Sequence, residues 1–349
     1  MLKDILAYVI GLQIYWGEMM KWRSFSEKIS AFGNGKENLL NVITVPYNSC
    51  DLFSNIIFTF IENNKSVLYI TEENKYKIAM MKFIKDNTDF RGYSYFDFSS
   101  DSKSLKASIV FTSYVGASNL ENNFDLIIYD DVSCYSPYSG KEILTLLNRY
   151  INKDKKLIAF STKEIFNTKE SVYIPYYKDN NPLVEPRVVL TRINTEKEIC
   201  FSEYEYLKWS MEMNRNVVLF TTDTSTKEYI YNYLKTIKNK LTSNIYFFSK
   251  DNRDFLEFPN VKKKIIVTEN MDVLNYDIYP MDILVHNCAG IIYDSKKLLF
   301  FCGKVSSIDR ERNSEVVFLV NRNTDAIEET KEITRNFNKD AWNLGLLHL

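Results

Sequence analysis

The feature that most constrains this chain is one kind of apolar run, short and nearly unbroken, repeated with helical patterns between the copies. In the first half the runs are Leu39–Val45, Val67–Thr71, Ser108–Thr112, Phe124–Tyr129 and Lys156–Ser161. A strand wetted on one face alternates apolar and polar residues, whereas a strand covered on both faces of a parallel sheet reads as a continuous apolar run. Helical periodicity fills the gaps at Leu52–Asn63, Tyr76–Asp86 and Lys141–Asn152. The pattern then restarts. Strands are expected at Asn216–Thr221, Ile245–Ser249, Lys264–Thr268, Asp282–His286 and Glu315–Val320, with helices at Ser225–Lys240 and Thr324–Asn338. Between the two series, Pro175 to Pro186 holds three of the seven prolines and reads as a connection. The pattern predicts α/β architecture, with two successive parallel-sheet units, each wound with right-handed crossovers.

Composition narrows the function only a little. With 349 residues, 45% of them apolar and 26% charged, the chain suits an ordinary multidomain globular protein. A formal net charge of −1 gives no global attraction to nucleic acid, so any such surface has to be local. The basic clusters Lys153–Lys156 and Lys262–Lys264 read as solvated loops before strands. Five scattered cysteines, no C-x-x-C and two histidines exclude a structural zinc module and suit a reducing cytoplasm. The apolar run Ile5–Tyr15 is interrupted by Gln13 and is shorter than a membrane span needs, so a helix packed on the body is expected.

In an open α/β sheet, ligands bind beyond the carboxyl ends of the strands. After the first strand the chain reads Thr44-Val45-Pro46-Tyr47-Asn48-Ser49-Cys50-Asp51. A phosphate-binding loop needs glycines and then Gly-Lys-Ser/Thr: amides cradle phosphate, Lys reaches the outer phosphates, and the hydroxyl ligates magnesium. Here Ser49 stands at the lysine position, Cys50 at the hydroxyl position, and Pro46 lacks an amide hydrogen. The nearby Gly33-Asn34-Gly35-Lys36-Glu37 precedes a strand and reads as a turn. A second landmark, Phe124-Asp-Leu-Ile-Ile-Tyr-Asp130-Asp131-Val132, is an apolar strand ending in two carboxylates. Such a pair can hold magnesium and polarise water; the plain alternative is acids solvated at a strand end.

In this order the pieces resemble the superfamily 2 helicases, and among them the late-competence ComF operon protein A family of DNA-uptake translocases. The run Phe124–Val132 is similar to that family's FDLIIIDEVD, and Ser108-Ile-Val-Phe-Thr112 to its strand ending in a strand-contacting threonine. Phe160-Ser-Thr162 stands at its LTAT segment, and Asn216–Phe220 at its fourth-motif strand. Lys264–Val285 resembles ILITTTILERGVTIPDVDV, and Phe301–Ser307 with Glu315-Val-Val-Phe resembles GRVGRS…GEVIFF. The resemblance implies two tandem RecA-like lobes: an N-terminal helical extension over 1–36, lobe 1 over 37–175, a linker over 176–195 and lobe 2 over 196–349.

Departures from the family fall where catalysis would be. Glu-Arg-Gly of the fifth motif becomes Val273-Leu274-Asn275, and the two arginines of the sixth become Lys304 and Ser307. The second arginine is the one that reaches the γ-phosphate, and serine has neither its charge nor its fork. Arg310 and Arg312 lie just beyond as candidate substitutes. No catalytic residue and no cofactor are expected, with Mg-ATP entering only if the site works and Asp130 then holding the metal. The resemblance offers Thr112, Thr221, Thr222 and Thr268 as nucleic-acid backbone contacts. The partners it implies are single-stranded DNA and other competence or DNA-processing proteins, with no membrane span. Two further readings stand beside this one: a protein scaffold without nucleic-acid binding, and a divergent working translocase.

Overall fold

A computed structural model of the protein describes residues 21–97, 107–120, 124–178, 180–192, 199–257, 261–289, 292–308 and 314–347. The run Ile5–Tyr15, Arg310 and Arg312 lie outside them. The chain divides into two units, Met1–Asp179 and Asn180–Leu349.

Among its described residues the first unit opens with a helix, α1, over 21–34. Then come β1 (Leu39–Thr44), a 3-10 turn Cys50–Phe53 running into α2 (Ser54–Glu62), β2 (Val67–Thr71), α3 (Ala79–Asn87) and β3 (Tyr93–Phe96). β4 (Ile109–Thr112), α4 (Tyr114–Ser118), β5 (Leu126–Asp130), α5 (Gly140–Asn148), β6 (Lys156–Ser161) and β7 (Ser171–Ile174) complete it. The strands form one sheet in the order β3-β4-β2-β5-β6-β1-β7, parallel at every pairing. β2, β4, β5 and β6 are buried along their whole length, as their unbroken apolar sequences require. One sheet face packs Leu68, Ile127 and Leu157 under Ile143, Leu146 and Leu147 of α5. That helix starts at a reciprocal cap, Ser139 accepting the Glu142 amide while the Glu142 carboxylate accepts the Ser139 amide.

The second unit repeats the plan: β8 (Arg187–Leu190), α6 (Phe201–Glu212), β9 (Asn216–Phe220), α7 (Thr224–Thr236), β10 (Ile245–Phe247), β11 (Ile265–Thr268), β12 (Met281–Val285), α8 (Ser295–Ile308), β13 (Val316–Val320) and α9 (Asp325–Asn343). Its sheet is again wholly parallel, in the order β10-β11-β9-β12-β13-β8. Leu207 and Met211 of α6 and Ile230 and Leu234 of α7 cover Val217, Leu219, Ile265 and Val267. Among the described residues no helix is long and apolar enough to cross a membrane.

Each series gains strands that the sequence pattern does not mark. Residues 187–190, inside the stretch expected to be linker, form edge strand β8, paired with β13. β3 and β7 are edge strands too, and their half-exposed residues leave no apolar run to read. Residues 176–178, beyond the expected lobe 1 boundary, are bonded into the first unit: Tyr177 Oη donates to the Pro46 carbonyl at 2.9 Å.

The second unit is pinned by a buried ion pair. Arg215, which precedes β9, donates Nε to Asp282 Oδ2 at 2.7 Å and Nη2 to Oδ1 at 2.6 Å. Asp282 also accepts Ser210 Oγ and the Glu315 amide. Breaking such a pair from one side strands a charge in the interior. Arg215→Ala is therefore expected to lower stability by about 3–5 kcal/mol, read as a fall in the urea unfolding midpoint.

Candidate functional site

The carboxyl ends of β1, β2, β4 and β5 carry the residues that the sequence singles out in the first unit. The β1 loop closes on itself. Tyr47 adopts φ 61°, and its amide donates to the Val132 carbonyl at 2.8 Å. Asn48 is buried, its Nδ2 donating to Thr44 Oγ1 at 2.7 Å and to the Tyr176 carbonyl at 2.8 Å. Its Oδ1 accepts the Ser49 amide at 2.9 Å. The side chain of Ser49 turns to Asp51 Oδ1 at 2.8 Å, an oxygen that also accepts Trp22 Nε1 from α1. Lys178 pairs with the other oxygen of Asp51. Of the amides a phosphate would need, Pro46 has none, and those of Tyr47 and Ser49 already have acceptors inside the loop and its neighbour.

Asp130 is 1% exposed and fully engaged. Oδ1 accepts the amides of Val132 and Ser133 at 3.0 and 2.9 Å; Oδ2 accepts Ser133 Oγ and Tyr69 Oη, both at 2.6 Å. A carboxylate offers roughly four lone-pair sites, so these donors fill it. Tyr69 rises from β2 with no exposure at all, and its hydroxyl takes up a lone pair of Oδ2. Cys50 lies against the same group; burial pushes its thiol well above the usual range, and Asp130 and Glu73 push it further. Asp131, also buried, donates its amide to the Phe160 carbonyl at 2.8 Å.

Glu73, two residues beyond β2, completes the cluster. Both its oxygens accept the Ala79 amide at 3.2 Å, at the start of α3. Burial of the carboxyl, and then the charge on Asp130, push its pKa up to about 8. Sequence reading missed Tyr69, Glu73 and Asp51. Tyr69 is hidden inside an apolar strand, while Glu72-Glu73 directly after that strand was a visible signal.

In the second unit Lys304 lies within α8, 8% exposed; burial lowers its ammonium pKa, which Asp277 opposes. Ser307, one turn on, donates its hydroxyl back to the Lys304 carbonyl at 2.9 Å. Three of the four threonines offered as strand contacts point inward. Thr112 Oγ1 donates to the Phe96 carbonyl, Thr221 Oγ1 to those of Asp223 and Thr268, and Thr268 Oγ1 to that of Phe248. All three side chains are buried. Thr222 alone of the four is half-exposed, donating to Asp223 Oδ2 at 2.7 Å. Among the described residues no group of three or more His, Cys, Asp or Glu is placed to hold a metal ion.

Two parallel sheets of this order match solved structures. Mss116p bound to single-stranded RNA and AMP-PNP aligns over 86% of this chain and 70% of its own, with a TM-score of 0.58 at 15% identity. The fold is that of two RecA-like α/β lobes, as in the helicases of these structures. The helicase MrfA bound to DNA aligns over 90% of this chain, with a TM-score of 0.55 at 14% identity, and this chain spans 50% of its length. Dbp5 of S. cerevisiae bound to RNA and ADP BeF3 aligns over 88% of this chain and 87% of its own, with a TM-score of 0.55 at 13% identity. At such identities the likeness to these helicases is one of fold. No protein-family model matches the sequence, and no curated protein matches it.

The raised Glu73 pKa fixes the sign of one pH effect. Below its ordinary value of 4.5 the group is neutral in folded and unfolded chains alike. Between there and about 8 only the unfolded chain ionises it, so its contribution to stability is lost across that window. Glu73→Gln, which can still accept the Ala79 amide, is expected to remove that slope. Melting temperatures measured from pH 5 to 9 should converge at the acid end, with the variant the more stable at the alkaline end.

Proposed function

We propose that this chain is a helicase-fold protein that acts by binding and not by ATP hydrolysis, within a DNA-processing assembly of the competence-uptake kind. One observation carries the reading: the groups a P-loop motor leaves open for Mg-ATP are already satisfied by the protein. The Tyr47 and Ser49 amides have acceptors, Pro46 has no donor, and all four sites of Asp130 are filled. These residues do not fit Mg-ATP held in the P-loop manner. No ammonium stands at position 49, and serine at 307 offers no charge to a γ-phosphate.

The charge at the strand ends supports a protein partner over a nucleic acid. In the first lobe Glu72, Asp97 and Asp131 follow β2, β3 and β5; in the second Asp223 and Glu269 follow β9 and β11. Lys75 and Lys227, close by, pair with Asp97 at 3.7 Å and Glu269 at 2.9 Å. Single-stranded DNA is the second reading, favoured by the nucleic acid bound in the Mss116p, MrfA and Dbp5 structures. It predicts an affinity that falls steeply with salt.

The nucleotide reading is tested by calorimetry with Mg-ATP, with phosphate release followed in parallel on single-stranded DNA. The expected outcome is no binding up to millimolar ATP and no release. DNA-stimulated turnover that Asp130→Ala abolishes would overturn it.

A further inference from the structure

Three neighbouring strands of the first sheet, β4, β2 and β5, end side by side, and the residues that follow them converge. Glu72, after β2, accepts the amide of Tyr114, after β4, at 2.7 Å. The Tyr114 ring stacks on Tyr138, with centroids 3.8 Å apart and planes 15° from parallel. Asp131 follows β5. On β5 itself Tyr129 is 2% exposed, with Asp131, Ser136, Glu72 and Tyr138 around its hydroxyl. That hydroxyl has no hydrogen-bond partner of good geometry. A buried hydroxyl in this state favours any group that can pair with it.

The surroundings say what kind of group that is. Burial raises the hydroxyl pKa of Tyr95, Tyr114 and Tyr138, and neighbouring carboxylates raise it further: Asp97 and Glu72 at Tyr95, Glu142 at Tyr114, Glu72 at Tyr138. The local potential is therefore negative. Among the described residues Lys75 pairs with Asp97, while Arg149 donates to the Ser118 carbonyl and pulls the Tyr114 pKa down, one cation against the carboxylates of Glu72, Asp97 and Glu142. A phosphate would meet carboxylates here. A guanidinium meets what it needs: it is planar and stacks on aromatic rings, it carries five N–H donors, and it is always charged. An ammonium has the charge without the face to stack.

We propose that this corner of lobe 1 is a docking site for an arginine side chain of a partner protein, lying against the Tyr114–Tyr138 pair with its N–H groups toward Glu72, Asp131 and the Tyr129 oxygen. The site rests on the binding-only reading above and gives that reading its partner chemistry.

The test is fluorescence anisotropy of the full chain with a labelled nonaarginine peptide, a nonalysine peptide and a short oligo-dT. The arginine peptide is expected to bind more tightly than the other two. Glu72→Gln, which keeps an oxygen for the Tyr114 amide, should weaken it about tenfold, a change of about 1.4 kcal/mol. Tyr138→Ala should weaken it by a similar factor, while Glu62→Gln, on exposed α2 surface, should leave it unchanged. Circular dichroism confirms that each variant is folded, and Glu72→Gln decides the matter if Tyr138→Ala is not. Wild-type affinity in Glu72→Gln, equal loss in Glu62→Gln, or preference for oligo-dT would overturn the docking site. ATP turnover would instead sink the binding-only reading and leave the peptide result standing.

Discussion

Ionised carboxylates survive burial only where donors surround them, and at the heart of the first lobe Asp130 has two amides and two hydroxyls around it. Much of the lobe's organisation follows from that. The turn after β5 folds back so that Val132 and Ser133 present their amides. Val132 then offers its carbonyl to Tyr47, which fixes the loop after β1. Tyr69 comes up from β2 to supply the fourth donor, and burial, with Asp130 close by, raises the Glu73 pKa to about 8. A charge that a motor would spend on a metal is here a structural hub.

The two lobes anchor themselves differently. The first organises its strand ends around hydroxyls and amides. The second sets a guanidinium–carboxylate pair, Arg215 and Asp282, beneath the amino ends of β9 and β12, with the Glu315 amide completing the carboxylate. His286 and Glu203, both fully enclosed, meet at 2.9 Å at the opposite end of β12. Buried polar groups thus tie helix α6 to the sheet at both ends, while apolar packing fills the middle.

Much of this was legible in the chain. The central strands announced themselves because burial on both faces leaves no room for alternation. Edge strands β3, β7 and β8 did not, because half-wetted strands of four residues carry too little pattern. α6 escaped notice because its aromatic and charged residues show little segregation, and α8 because lysines, serines and a glycine interrupt its apolar residues. At the site, the sequence showed which chemical groups were absent: the lysine, the hydroxyl, the arginines. What fills the space was invisible, since Tyr69 reads as one more apolar strand residue and the bonds of Asn48 span 128 residues to Tyr176. The threonines show the converse limit, because a hydroxyl at a strand end can face inward as easily as outward.

Asn48 also bears on how such a chain changes over generations. Its amide satisfies Thr44, Tyr176 and Ser49 at once, so a glycine there removes three hydrogen bonds before any phosphate contact exists to offset them. A lysine at 49 would take away the hydroxyl bonded to Asp51 and set its own charge beside Lys178. On the proposed reading, both of these steps back toward a phosphate-binding loop pass through a less stable protein. The loop works as a ratchet, and selection for stability alone would keep the motor from returning.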